Sequence, residues 1–339
     1  MNELYPWQDD LWQRLQGLRM RLPNALLLKG AEGIGKLDLA LSFAQSILCE
    51  APVSSGLPCH ACPSCHWFAQ ESNPDFRLIQ PDALSTADEA PEKEGAKKAS
   101  REISVDQIRA LSTFVNLSAH SGGYRVVLIH PAEAMNSNSA NALLKTLEEP
   151  TDKLLFILVS NKPQQLLPTI LSRSLSLAVP MPSREESAAW LKQQGVDDAE
   201  TLLAQTGFAP LSALQNAGEG AGSEERSLIL SALKQSGKFD ALVLAEQLQR
   251  AAPVHVIQVL QQWCYDLVSF KLAGVIRYYP EQTDLIGKIS GALSLQTLLR
   301  YIKELQTAKR EAFHPLNPKL LFESILLAYQ QMLQTAQKA

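Results

Sequence analysis

Three observations predict an α/β domain built on a phosphate-binding loop, followed by a chain that is helical to its end. A short apolar run, Ala25 to Leu28, meets Gly30-Ala31-Glu32-Gly33-Ile34-Gly35-Lys36, and an amphipathic run from Leu37 to Leu48 follows without a break. Strand, glycine loop and helix in that order form a cradle. Consecutive backbone N–H groups wrap an anion at a helix N-terminus, and the lysine reaches its terminal phosphates. Further strand-like and helix-like segments alternate up to residue 179, which favours an open, mainly parallel sheet. From Glu224 onward nearly every segment has helical spacing, as in Ala241 to Leu248 and Val256 to Leu267.

The loop lacks one part. Its template places Ser or Thr after the lysine, because that hydroxyl holds Mg²⁺, and this chain has Leu37. Ahead of the loop, residues 1–24 contain Tyr5-Pro6-Trp7 and a predicted helix from Leu11 to Met20, read as packing on the first domain.

After the loop helix come Cys49, Cys59, Cys62 and Cys65. Four thiolates at these spacings can close a tetrahedron around Zn²⁺, with Cys59, Cys62 and Cys65 on one tight knuckle and Cys49 delivered by the preceding helix end. Four sulfur ligands leave no open position for water, so the site is read as structural. His60 and His66 are read as exposed knuckle residues, and the fifth cysteine, Cys264, as a small core residue on an apolar helix face.

Pro74 to Ile79 reads as a short strand. Residues 81–101 lack large apolar side chains after Leu84 and cannot bury enough surface to order themselves, so a mobile loop is expected there. Ile103-Ser104-Val105-Asp106 opens a helix with Ile108, Leu111 and Val115 on one face. Tyr124 to Ile129 is a buried-type strand. In a working ATPase such a strand ends in Asp-Glu, which orders the metal and polarises water. Here it ends in His130-Pro131-Ala132-Glu133. Histidine is a poor Mg²⁺ ligand and proline offers no acid or base. Glu133 is expected to support the first turn of the next helix, where negative charge is favoured. That helix runs from Asn138 to Pro150, and Leu154 to Ser160 forms a third strand. After a break at Asn161-Lys162-Pro163 comes Leu166 to Ser174, which holds Ser172-Arg173-Ser174.

Past Pro180-Met181-Pro182 the character changes. Residues 183–215 read as a compact helical group with a turn at Gly207, and residues 217–223 as a Gly- and Ser-rich linker. The domain reading is therefore 1–179 for the α/β domain with its four-cysteine zinc module at 49–65, 180–218 for a small helical domain, and 219–339 for an all-α domain.

With 31 Lys and Arg against 35 Asp and Glu, the net charge is −4, so there is no strong basic field of the kind a free-standing nucleic-acid binder carries. No apolar run approaches the length of a membrane span, and the first ten residues are acidic rather than basic, so no membrane association and a cytoplasmic location are expected.

The loop stretch, the four-cysteine insertion behind it, the segment from Val126 to Pro150, the segment from Phe156 to Ser174 and the late stretch Asn317 to Leu327 together resemble the bacterial clamp-loader branch of AAA+ proteins. Within it they resemble the delta-prime family, through Tyr5-Pro6-Trp7 and the His130-to-Asn136 strand ending, and the likeness runs nearly end to end. It implies an AAA+ domain, a helical lid and a collar domain through which five subunits form a ring. It also implies tau/gamma and delta subunits as partners, action on a sliding clamp and primed DNA, and a role for Arg173. In such subunits an arginine from a Ser-Arg-Cys motif acts on a neighbour's ATP, and here the Cys is Ser174. Where hydrolysing relatives carry Gly-x-x-Arg in the lid, this chain has Gly207-Phe208-Ala209-Pro210. Leu37, His130, Pro131 and Pro210 all depart in the inactive direction, whereas Gly30, Gly33, Gly35 and Lys36 persist and leave ATP or ADP binding open. Two other readings compete: an autonomous AAA+ ATPase with unusual metal ligands, and a zinc-knuckle nucleic-acid binder. The acidic balance and the lack of basic and aromatic interleaving around Cys59 to Cys65 oppose the latter.

Overall fold

Five parallel strands carry the first half of the chain: β1 (Ala25–Lys29), β2 (Phe76–Ile79), β3 (Arg125–Ile129), β4 (Leu154–Ser160) and β5 (Leu175–Ala178), in the order β2-β3-β4-β1-β5. The computed structural model describes residues 4–84, 100–116, 119–120, 122–219, 223–234, 239–312 and 317–337. Most of the segment 81–101, expected to be a mobile loop, lies outside them; Asp82–Leu84 is a short 3-10 turn.

The helices in this half are α1 (Asp9–Gly17), α2 (Lys36–Leu48), α3 (Pro63–Ala69), α4 (Val105–Asn116), α5 (Ser137–Glu148) and α6 (Pro168–Arg173). β3 and β4 are buried along their whole length, as parallel strands covered on both faces must be. Alternation then assigns the faces. Leu26 and Leu28 of β1 join Leu11 and Trp12 of α1 and Leu39 and Phe43 of α2. Ala25 and Leu27 join Ile108 of α4, Leu143 of α5 and Ile170 of α6 on the other side. The result is the three-layer α/β architecture that the alternation of segments predicts.

Two details differ from the periodicity. β5 is a strand that the sequence pattern does not separate from the helix before it, because it is an edge strand in which Leu177 alone is buried and no alternation develops. The helix expected over Leu11 to Met20 ends at Gly17 and tightens into a 3-10 turn over Leu18–Arg21, since glycine is a poor helix former and Pro23 follows.

The chain divides into two compact units, residues 1–186 and 187–339. α7 (Arg184–Gln193) spans the division, and α8 (Ala199–Gln205) and α9 (Pro210–Glu219) follow. Leu191, Val196, Ala199, Leu203 and Ala213 form a small core of their own. The turn between α8 and α9 uses left-handed backbone at Gly207 and Phe208. The linker expected over 217–223 is shorter than composition suggests. Ala217 to Glu219 complete α9, and Ser223 opens the next helix, whose first turn takes Glu224 and Glu225.

α10 (Ser223–Lys234), α11 (Ala241–Gln247), α12 (Pro253–Ala273), α13 (Thr283–Ala292), α14 (Leu295–Glu311) and α15 (Pro318–Gln337) enclose the largest core. Cys264 is buried in it, as its apolar face predicts. At its centre Trp263 donates its indole N–H to the Tyr329 hydroxyl at 2.9 Å. The Asp266 carboxylate, fully buried on α12, accepts the backbone N–H groups of Arg277, Tyr278 and Tyr279 at 2.9, 2.9 and 2.8 Å and so folds the segment after α12 back onto that helix. The small and large cores are tied within this unit by Gln262, whose amide donates to the Gln205 carbonyl at 2.5 Å, and by Arg277, which reaches the Gly207 carbonyl at 3.4 Å. Replacing Tyr329 by Phe leaves the Trp263 N–H buried without its acceptor. Urea denaturation is expected to show a loss of about 1–3 kcal/mol in this unit.

Candidate functional site

The carboxyl ends of β1, β3 and β4 lie side by side, which is where open α/β sheets gather ligands and where the glycine loop begins. Gly30 follows β1 and donates its N–H to the Ser160 carbonyl at 3.3 Å. Gly33 (φ 74°) and Gly35 (φ 81°) sit in the left-handed region, which only glycine occupies without strain, and Gly35 caps α2 so that the loop's N–H groups end at a helix N-terminus. Lys36 is 4 % exposed, and its ammonium bonds the Ala31 carbonyl within the loop. Leu37 packs partly into the core beneath. The four predicted loop residues are thus brought together in a cradle.

The N-terminal segment lies against this loop more closely than a helix-packing reading conveys. Trp7 donates its indole N–H to the Ile34 carbonyl at 3.0 Å, and the fully buried Gln8 amide donates to the carbonyls of Ile34 and Gly35 at 3.2 and 2.8 Å. Tyr5 stacks on Trp7 at 5.0 Å, bonds Asp38 at 3.3 Å, and lies so close that a Cβ on Gly35 would collide with its ring. Gly35 is therefore held to glycine twice, by backbone and by neighbour. Two aromatics and a glutamine just before a helix were the only sequence signal for this clasp.

At the strand ends, His130 and Pro131 follow β3 where an ATPase strand would carry its metal-ordering and water-polarising carboxylates, and Glu133 comes two residues further on. Contrary to the expectation from its position, Glu133 does not support the next helix. The first turn of α5 is already capped by Asn136, which accepts from the backbone N–H groups of Asn138 and Ser139 at 3.1 and 3.0 Å. The Glu133 carboxylate instead accepts the Asn161 N–H at 3.0 Å, joining the end of β3 to the end of β4. Its second oxygen and His130 Nδ1 are buried without hydrogen-bond partners among the described residues. Burial pushes His130 toward its neutral form, against Glu133.

Burial also lowers the Lys36 pKa to about 8, while Glu32 and Glu133 pull the other way. A lysine whose folded pKa lies below its ordinary 10.5 binds fewer protons folded than unfolded between those values, so its contribution to stability rises with pH across that window. Comparing the chain with its Lys36→Met variant by chemical denaturation at pH 8 and pH 10 should show the wild type gaining stability relative to the variant; a parallel pH response would mean that burial does not hold the ammonium back.

The four predicted metal ligands also converge. Cys49 follows α2, Cys62 caps α3, Cys65 lies within α3, and Cys59 is on the loop between. Their four sulfur atoms lie within 4.8 Å of one another, with Cys49 and Cys62 Sγ 4.0 Å apart. Zn–S bonds of about 2.3 Å set sulfurs of a tetrahedron about 3.8 Å apart, so this donor set fits zinc with a small contraction. Backbone N–H groups of Ala61 and Cys62 point at Cys59 Sγ at 3.5 and 3.3 Å and lower its pKa to about 6, favouring the thiolate a metal needs. Burial raises the thiols of Cys49 and Cys65. His60 and His66 are exposed and stand outside the cluster.

Arg173 is the last residue of α6. Its guanidinium pairs with Glu148, the last residue of α5, at 2.7 Å and also donates to the Thr169 carbonyl at 3.2 Å and the Ser172 hydroxyl at 3.4 Å. Pro210 opens α9.

Residues 7–182 match the family model described as DNA polymerase III, delta subunit, and residues 222–331 match DNA polymerase III, delta subunit, C terminal. The DNA polymerase III subunit delta' of Pseudomonas aeruginosa is 36% identical over 282 residues, covering 82% of this chain and 79% of that protein. The subunit delta' of Yersinia pestis is 26% identical over 345 residues, covering 98% and 96%. Among solved structures, a DNA polymerase III gamma subunit-related protein from Thermotoga maritima aligns with a TM-score of 0.42 and 18% identity over 96% of this chain and 99% of that one. The chain belongs to the DNA polymerase III delta-prime family of clamp-loader subunits.

Proposed function

We propose that this chain is a non-hydrolysing subunit of the clamp loader. It would join tau/gamma and delta subunits in a ring of five, help place the sliding clamp on primed DNA in the cytoplasm, and supply Arg173 to a neighbour's ATP. In this reading residues 1–179 form the AAA+ domain, 180–218 the lid and 219–339 the collar.

The observation that carries it is the joint loss of the hydrolytic groups around a retained cradle. Leu37, His130, Pro131 and Pro210 replace the metal ligand, the two strand-end carboxylates and the lid arginine, while Gly30, Gly33, Gly35 and Lys36 keep the loop's shape. Weak ATP or ADP binding fits such a loop; turnover does not. Arg173 supports the second half of the reading. Its side chain is 35% exposed at a helix end, on a surface that a neighbouring subunit can cover. A guanidinium aimed at a transferring phosphoryl stabilises the charge that develops there.

Zinc completes the proposal as a structural ion. Cys49, Cys59, Cys62 and Cys65 would hold it, linking the end of α2 to α3. Metal analysis of freshly purified protein should give about one zinc per chain, and chelation should increase hydrogen exchange across residues 49–66. A metal-free preparation with unaltered exchange would count against the site.

The loader itself provides the main test. Assembled with the other subunits, Arg173→Ala should lower clamp- and DNA-stimulated ATP turnover, the site it serves losing on the order of 10³-fold. The isolated chain should not turn over ATP. Steady hydrolysis by the isolated chain that Lys36→Ala abolishes would instead establish an autonomous ATPase.

A further inference from the structure

Glu148 has no role in the reading above, yet its position is unusual. It is the last residue of α5, where the helix's own partial negative charge disfavours a carboxylate. Arg173, the last residue of α6, sits at the matching end of its helix, where a cation is favoured. The two meet at 2.7 Å, with the Glu148 and Arg173 side chains 50% and 35% exposed. Arg173 also donates to the Thr169 carbonyl and the Ser172 hydroxyl, so its terminal nitrogens are engaged within its own chain.

From this arrangement we infer that Glu148 is the resident counter-ion of Arg173, a positioning residue that competes with the terminal phosphate of the neighbour's nucleotide for the same guanidinium. The inference rests on Arg173 acting in trans. Covering an arginine with a neighbouring subunit while no phosphate faces it would bury an unpaired cation, which is costly. Glu148 removes that cost by giving the guanidinium an anion inside its own chain. When a triphosphate occupies the neighbouring site, its terminal oxygens replace the carboxylate, and when phosphate leaves, Glu148 takes the arginine back. The exchange makes no covalent bond and moves no proton; it is one anion for another on a fixed cation. A half-exposed pair is weak, so the exchange is reversible rather than a lock.

The test uses the assembled loader with ATP as the probe. Glu148→Gln keeps the side chain's size and removes its charge. It should lower the ATP concentration that gives half-maximal turnover by about two- to fivefold, the range a half-exposed ion pair allows. In an Arg173→Ala background the same substitution should shift nothing, because the competition has lost its object. If Arg173→Ala lowers turnover but Glu148→Gln leaves the half-maximal concentration unchanged or raises it, the counter-ion role is overturned and the trans arginine stands. If Glu148→Gln shifts that concentration equally with and without Arg173, Glu148 acts through something else and the inference also falls. If Arg173→Ala leaves turnover untouched, the trans arginine and its counter-ion fall together.

Discussion

β1 is hydrogen-bonded on both edges, to β4 in register from Ala25↔Phe156 to Lys29↔Ser160 and to β5 from Leu26↔Leu175 to Lys29↔Ala178. Its pairing places the glycine loop beside the ends of β3 and β4. The strand delivers Gly30 at the sheet's carboxyl edge, so the loop and the N-terminus of α2 arise beside the ends of β3 and β4. Pairing with β5 places the chain from Arg173 to Leu175 on the other side of the same strand. A slip of one residue would exchange Leu26 and Leu28 with Ala25 and Leu27 between the two faces and dissolve both cores at once.

The loop that β1 carries is supported in a way that suits shape more than chemistry. Carbonyls of Ile34 and Gly35 are taken up by Trp7 and Gln8, Lys36 bonds within the loop, and Tyr5 closes on Gly35. Around it Glu133 ties two strand ends together, and a leucine and a histidine stand where metal-binding groups would serve hydrolysis. Such a loop is fastened to Tyr5, Trp7 and Gln8 of its own unit. At the other side of β1, the paired helix ends bring the Arg173 guanidinium to the Glu148 carboxylate. The four cysteines gather their sulfurs between the end of α2 and α3, within 4.8 Å of one another.

Much of this is legible along the chain because it depends on local spacing. The glycine loop, the strands at Tyr124 to Ile129 and Leu154 to Ser160, and the late amphipathic helices all follow from periodicity. The cysteines follow from the geometry of four ligands on a short loop. Arg173 could be singled out by resemblance, but its ion pair could not, because Glu148 is separated from it by a strand and a turn. β5 escaped because an edge strand with one buried residue has no period. The linker was overestimated because Gly and Ser near helix ends are compatible with helix as well as with coil.

The sequence by itself determined which chemical groups exist and which are missing: a lysine and three glycines for an anion, four thiols for a metal, and no hydroxyl or strand-end carboxylate pair for hydrolysis. Those are matters of composition at particular positions, and no folding can supply an absent group. Only the tertiary structure decided what the remaining groups face. It turned Glu133 toward Asn161 rather than its own helix, set Tyr5, Trp7 and Gln8 on the loop, and brought Glu148 to Arg173. Each of these contacts joins residues about 25 to 30 positions apart, a distance over which side-chain direction depends on how the intervening strands and helices pack, not on the residues between.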